Sequence, residues 1–295
     1  MRLLILGGNG MIGHKMYQVL NEDFPDTWVT LRQKLKFTKY SNFFRKEKVI
    51  DGVDLTNFPM LKTLLDEISP DVIINAAGIT IRRGVNDRLS RSILTNSVLP
   101  YFLGEWVQGK EGKRLIHFST DCVFTGNKGS YSDDSIPDAF DNYGRTKALG
   151  EVKLSQTLTL RGSMIGRELD YNTELLEWFL SQNGNVIKGF TNVVYSGITT
   201  LRMAKYVRKI IYYFPYMSGV YNVSSLTISK YDLLNLFKEV FNTKVDIIKD
   251  DSYVSRKDLI SNNFFNEIQE VSPIWQDLII ELYNDSRLNN NFYNK

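Results

Sequence analysis

Tyr143 and Lys147 stand four residues apart in Tyr143-Gly144-Arg145-Thr146-Lys147, the spacing that puts two side chains on one face of a helix. An ammonium that close favours the phenolate, so the pair could exchange a proton near neutral pH. Upstream, residues 115–119 read as a buried strand that ends in Thr120-Asp121-Cys122-Val123-Phe124. A hydroxyl, Thr120, is thereby left at the carboxyl edge of a sheet, where open α/β folds bind ligands. If the extended backbone continues, Cys122 lies on the same side as Thr120; the alternative is a small residue packed at a strand end.

A second grouping begins at the amino terminus. The apolar run Leu3–Leu6 passes directly into Gly7-Gly8-Asn9-Gly10-Met11-Ile12-Gly13 and then into a helical stretch. Glycines at 7, 10 and 13 permit a tight turn, close approach of backbone to a pyrophosphate and packing of helix on strand. Met11 and Ile12 open the helix whose free N–H groups would face the anion. The next strand, residues 28–31, ends in Arg32-Gln33-Lys34, where a cofactor without a 2′-phosphate would meet an acid. Arg32 and Lys34 therefore favour NADP(H) over NAD(H), against the alternative of a merely solvated loop. Asp54 and Leu55 could receive the adenine, and Ala76, Ala77 and Gly78 supply small residues where a dinucleotide crosses the sheet edge.

These groups need a scaffold. Short apolar runs alternate with helical stretches through the first half: strands at Leu3–Leu6, 28–31, Val72–Asn75 and 115–119, and helices at 11–20, 90–107 and from about Tyr143. That rhythm predicts an α/β fold, a Rossmann-type doubly wound parallel sheet. Residues 1–160 form the dinucleotide half. Residues 161–285, beginning with a strand at 160–163 and including a helix at Thr200–Tyr213 and an N-cap at Ser229, read as a smaller α/β substrate lobe interleaved with it. Residues 286–295 are expected to fray.

The chain has 295 residues, enough for one large fold that buries about 75% of its unfolded surface. With 36 Lys and Arg against 33 Asp and Glu, the net charge of +3 excludes wholesale nucleic-acid binding. The cations and aromatics of 32–48, with Phe37, Tyr40, Phe43 and Phe44, resemble a single-strand surface, but a neighbouring phosphate loop accounts for the same charges. One cysteine precludes an internal disulfide, and with two histidines, His14 and His117, expected to be structural, no metal site is expected. No apolar run approaches the ~18 residues of a membrane span, so a cytoplasmic protein without a membrane or nucleic-acid partner is expected.

Together, Gly7, Gly10 and Gly13, then Asn75-Ala76-Ala77-Gly78, Thr120 and the Tyr143/Lys147 pair resemble, in order, the extended short-chain dehydrogenase/reductase family. Residues 119–126 and 143–151 resemble its dTDP-4-dehydrorhamnose reductase branch, and the similarity extends loosely through Ser225. The resemblance implies reduction of the 4-keto group of a nucleoside-diphospho-4-keto-6-deoxysugar, making an activated deoxysugar. Tyr143 would give the proton, Lys147 would lower its pKa and hold the nicotinamide ribose, and Thr120 would orient the carbonyl. Dehydratases of the family carry a carboxylate two places after the threonine; Cys122 at that place disfavours elimination and suggests a C3/C5-epimerising reductase, with Lys188 as the opposing acid. The resemblance is also compatible with an NAD-retaining epimerase and with a regulatory binding subunit like that of methionine adenosyltransferase.

The same resemblance puts the sugar nucleotide in the lobe after Arg161. Candidate contacts are Thr120, Met164, Trp178, Lys188, Tyr195 and Arg256, with aromatics to stack on a base and cations to meet a diphosphate. Trp178 lies in an apolar helical run and reads equally as core. Arg82 and Arg83 could face the diphosphate or solvent, and a homodimer is compatible with the sequence.

Overall fold

The computed structural model describes residues 1–33, 40 and 43–293. Seven parallel strands form the main sheet: β1 (Leu3–Leu6), β2 (Thr27–Thr30), β3 (Val49–Ile50), β4 (Val72–Asn75), β5 (Arg114–Ser119), β6 (Thr157–Arg161) and β11 (Gly219–Asn222). Their order, β11-β6-β5-β4-β1-β2-β3, reverses direction between β1 and β4, and this is where a doubly wound sheet opens a ligand crevice. Register aligns Leu6 with Asn75 and Asn75 with His117. The glycine loop, the Ala76-Ala77-Gly78 run and Thr120 therefore emerge at one sheet edge. All four residues of β1 are fully buried, as expected of a strand covered on both faces.

Helices α1 (Met11–Asp23), α2 (Phe58–Ile68), α3 (Leu89–Ile93), α4 (Leu99–Val107) and α5 (Asn142–Leu149) connect these strands. The expected single helix at 90–107 is interrupted by a π-helical turn, Leu94–Val98. Pro100 has no N–H to give to the Asn96 carbonyl four residues back, which loosens the ladder there. The freed carbonyl faces Gly150, where a β-carbon would come within 2.0 Å. The Asn96 amide bonds the Ile79 carbonyl at 2.9 Å and Thr146 at 3.1 Å. The π turn thus braces α5.

The remaining strands are β7 (Ser163–Ile165), β8 (Val186–Phe190), β9 (Val193–Tyr195), β10 (Gly197–Thr199), β12 (Ile228–Ser229), β13 (Asp246–Asp250) and β14 (Ser255–Lys257). They pair as β10-β7, β12-β9-β14 and β13-β8. The strand expected at 160–163 is instead two, broken at Gly162, which lies so close to the Val223 carbonyl that a β-carbon would approach to 2.5 Å. Around these strands lie α6 (Leu175–Ser181), α7 (Thr200–Tyr213), α8 (Lys230–Val240), α9 (Asn262–Glu267), α10 (Trp275–Leu288) and α11 (Asn290–Tyr293). Helix α8 starts where the capping signal lies, with the Ser229 hydroxyl accepting the Asp232 N–H at 3.0 Å.

The terminal residues expected to fray are helical through Tyr293, which is 6% exposed. Its ring packs beneath the Arg167 guanidinium, and its hydroxyl meets His14 Nε2 at 3.1 Å. A buried aromatic anchor outweighs the fraying of an Asn-rich end. Among the described residues no helix is long and apolar enough to cross a membrane.

Candidate active site

Of the glycines at 7, 10 and 13, two serve the fold and one leaves room for a ligand. Gly7 turns the chain at φ +81°, and a β-carbon on Gly13 would stand 2.2 Å from the Gly7 carbonyl, so both are required by the chain itself. Gly10 is not: a β-carbon there would meet only the Gly7 carbonyl at 3.4 Å. It caps α1 without a side-chain hydrogen bond and puts no side chain into the crevice wall, the form of helix N-terminus that accepts a pyrophosphate.

That crevice is a groove of about 510 Å³, lined by Gly7, Gly10, Arg32, Gln33, Asp54, Leu55 and the Ala76-Ala77-Gly78 run. Arg82 and Arg83 line it too: Arg82 donates to the Thr173 carbonyl, and Arg83 pairs with Glu168 at 2.7 Å. Asp54 is less available to an adenine than its position suggests, since Oδ1 accepts from Thr56 at 2.7 Å and Arg91 at 2.9 Å. Met11 and Ile12 are not groove-lining residues among those described; they form the first turn of α1, and Ile12 packs on the core. Lys34 lies outside the described residues.

At the far side of the switch point, β5 delivers Thr120. The backbone then leaves the extended path for a 3₁₀ turn, Asp121–Val123, with the Thr120 hydroxyl accepting the Cys122 N–H at 3.2 Å. Strand alternation therefore does not relate positions 120 and 122. They meet Tyr143 through helix packing instead: Asp141 caps α5 by accepting the Gly144 N–H at 2.9 Å, and a β-carbon on Gly144 would come within 2.2 Å of the Cys122 carbonyl. Glycine at 144 is what lets α5 lie on this turn.

Beneath it, the Arg161 guanidinium forks onto Glu151 at 2.8 and 2.7 Å, and Ser119 donates to Glu151 at 2.6 Å. This buried network ties the ends of β5 and β6 to Glu151, the second residue beyond α5.

Lys147 is buried and donates to the Phe118 carbonyl at 2.6 Å, with His117 Nε2 at 3.4 Å. His117 in turn meets Asn75 at 3.1 Å. Burial lowers the Lys147 pKa to about 8, with Glu151 pulling the other way. The Tyr143 phenol is pushed up, by burial first and then by Cys122; Thr120 offsets this through a hydrogen bond, and Asp121 and Glu174 add to the rise. The groups that act on the phenol come from Thr120, the turn after it and Glu174, and Lys147 is not among them. A phenol that keeps its proton is suited to donating it.

Burial and then Asp121 push the Cys122 thiol up to about 12, so at neutral pH it holds its proton, the opposite of what abstraction from a sugar carbon needs. Lys188, the expected opposing acid, is not brought to it. Lys188 lies on the outer strand β8, 73% exposed and paired with Asp250 at 3.0 Å.

The other expected substrate contacts divide. Met164 and Trp178 are partly buried against the main core, Trp178 because α6 turns its apolar face inward. Tyr195 is buried beside Asp121. Arg256 is 53% exposed and lies 3.8 Å from Asp258; the next residue on β14, Lys257, is the one that acts on Asp121 and Cys122, because successive side chains of a strand point to opposite faces. Asp121, Glu174, Lys230 and Lys257 were missed by sequence reasoning. Only the cap at Ser229, just before Lys230, and the alternation around Arg256 carried any signal of them.

The model for the RmlD substrate binding domain matches residues 1–167. The dTDP-4-dehydrorhamnose reductase of Aggregatibacter actinomycetemcomitans is 26% identical over 255 residues, covering 83% of this chain and 81% of that one. Methionine adenosyltransferase 2 subunit beta of Xenopus tropicalis is 29% identical over 150 residues, 51% of this chain and 41% of that protein; the chain thus matches less than half the length of that relative. Among solved structures, the dTDP-4-dehydrorhamnose reductase of Bacillus anthracis in complex with NADP superposes with a TM-score of 0.79 at 20% identity, covering 97% of this chain and 99% of that one. The dTDP-glucose 4,6-dehydratase of the same organism, in complex with NAD, gives 0.77 at 15% identity over 99% and 98%. With more than half of its length matched by that model, this chain belongs to the RmlD substrate binding domain family.

Proposed function

We propose that the protein is an NADPH-dependent reductase of a nucleoside-diphospho-4-keto-6-deoxysugar. One observation carries the reading: Thr120, a protonated Tyr143 and a buried Lys147 stand at the sheet edge that also carries the glycine groove. In this reading Thr120 orients the carbonyl oxygen and Tyr143 gives that oxygen its proton. Lys147, held by the Phe118 carbonyl, donates its remaining N–H groups to the ribose. Gly10 and the N-terminus of α1 hold the pyrophosphate, and Ala76-Ala77-Gly78 leave room along the edge. Bound NADPH supplies the hydride that the carbonyl carbon receives. Arg32 in the groove wall supports the 2′-phosphate, hence NADPH over NADH. Residues 1–160 serve as the dinucleotide half and those after 161 as the substrate lobe, with β11 returning to the main sheet.

The similarity to a methionine adenosyltransferase regulatory subunit favours a second reading, a binding subunit, for which the proton-donor set would be superfluous. Loss of reduced-nicotinamide absorbance with dTDP- and UDP-4-keto-6-deoxyglucose separates the two. Turnover by the wild type that falls about 10²- to 10⁴-fold in Tyr143→Phe, with cofactor affinity kept, supports the reductase. No turnover with either sugar nucleotide, or full activity in the variant, sinks it.

A further inference from the structure

Strand β9 ends on Tyr195, whose register partners are Ile228 on β12 and Lys257 on β14. Residues level with each other on adjacent strands share a face, so Tyr195 and Lys257 stand side by side. That face looks onto the turn after Thr120: Lys257 acts on Asp121 and Cys122, and Asp121 acts on the Tyr195 hydroxyl. Two residues beyond Ile228, the first residue of α8, Lys230, lays its ammonium 4.5 Å over the Tyr195 ring. Asp121 and Cys122 are among the charges that act on it.

Two features mark this cluster as able to receive a further group. Tyr195 is 5% exposed, yet its hydroxyl has no hydrogen-bond partner among the described residues, a costly arrangement unless a ligand completes it. Two ammonium groups, Lys230 and Lys257, act on Asp121, and Arg82 also acts on Lys230, so among the described residues here cationic donors exceed the Asp121 carboxyl and can serve an electron-rich oxygen. The Tyr195 phenol and the Lys230 ammonium over its ring are the two donors placed to close on one oxygen atom. The cluster adjoins Asp121, the residue after Thr120, which is assigned above to the reacting carbonyl.

We propose that Tyr195 and Lys230 donate hydrogen bonds to an oxygen substituent of the sugar ring on a carbon next to the reacting carbonyl, and so determine which sugar is accepted. The proposal rests on the sugar-nucleotide reading above and names the specificity residues of that same site.

Calorimetric titration of the NADPH-loaded full chain tests it, with dTDP- and UDP-4-keto-6-deoxyglucose compared with dTDP and UDP alone. Tyr195→Phe keeps the ring and is expected to weaken the sugar nucleotide about 3- to 10-fold, and Lys230→Met about 10- to 100-fold, with Lys230→Arg recovering most of the loss. Affinity for the bare diphosphate should stay within about twofold, and in turnover KM should rise with kcat nearly kept. Unchanged sugar-nucleotide affinity, a parallel loss for the bare diphosphate, or a wild type that gains nothing from the sugar overturns the proposal. If the affinities behave as expected but no nicotinamide is oxidised, the reductase reading falls and the pocket stands. If neither sugar nucleotide nor diphosphate binds, both fall.

Discussion

The Lys147 ammonium is hydrogen-bonded to the Phe118 carbonyl at 2.6 Å, so the base of α5 is pinned to the end of β5 by the residue expected to serve the ligand. Burial lowers its pKa to about 8. A lysine is cationic below its pKa and neutral above it, so binding that relies on the ammonium is full below about 8 and lost as pH rises through that value. NADPH affinity, followed by nucleotide fluorescence, is expected to fall about 3- to 10-fold between about pH 7 and about pH 9.5. Lys147→Met should be weak and flat over the same range; a wild-type profile equally flat would remove Lys147 from the cofactor site.

Cys122 invites the opposite expectation. With its thiol pushed up to about 12 by burial and Asp121, and with Lys188 73% exposed on β8, the expected Cys122/Lys188 acid–base pair is not assembled. Reduction in deuterated water should leave C3 and C5 of the product free of deuterium, and Cys122→Ser should keep turnover within about threefold. Deuterium at either carbon, lost in the variant, would restore the epimerase reading.

Gly13 and Gly10 should separate folding from binding. A methyl at 13 would collide with the Gly7 carbonyl at 2.2 Å, whereas one at 10 has only a 3.4 Å neighbour. Gly13→Ala is expected to lower the thermal midpoint and cofactor affinity together, at a cost of about 1–3 kcal/mol. Gly10→Ala should leave the midpoint within about 2 °C and weaken NADPH at least tenfold, about 1.4 kcal/mol. Equal effects on the midpoint would contradict the division of labour among the glycines.

The Arg161–Glu151 pair is buried on both sides and also receives Ser119. Removing the cation leaves a buried carboxylate, so Arg161→Met is expected to cost about 3–5 kcal/mol of stability, measured by urea unfolding. A loss below about 1 kcal/mol would show that the network does not carry the junction of β5, β6 and α5.

Much of this molecule was legible because local sequence settles local structure. A run of four apolar residues, a glycine loop and an apolar-faced helix can fold in few ways, and β1, the loop and α1 lie where the pattern puts them. The i, i+4 spacing of Tyr143 and Lys147 and the cap at Ser229 are likewise decided within one turn of chain. What the sequence left open depended on partners distant along the chain. The Tyr143 phenol is pushed up by burial and then by Cys122, with Thr120 opposing, and these surroundings exist only once α5 packs on the turn after Thr120. The tail is ordered by a tyrosine that finds His14 at the other end of the chain. Lys257 rather than Arg256 faces the site because strand alternation is fixed only once β14 pairs with β9. Tyr195 becomes an unpartnered donor only once Lys230 and Asp121 are folded around it. Spacing along the chain fixes which residues could do chemistry, while burial and long-range packing decide which protons they hold and which way they point.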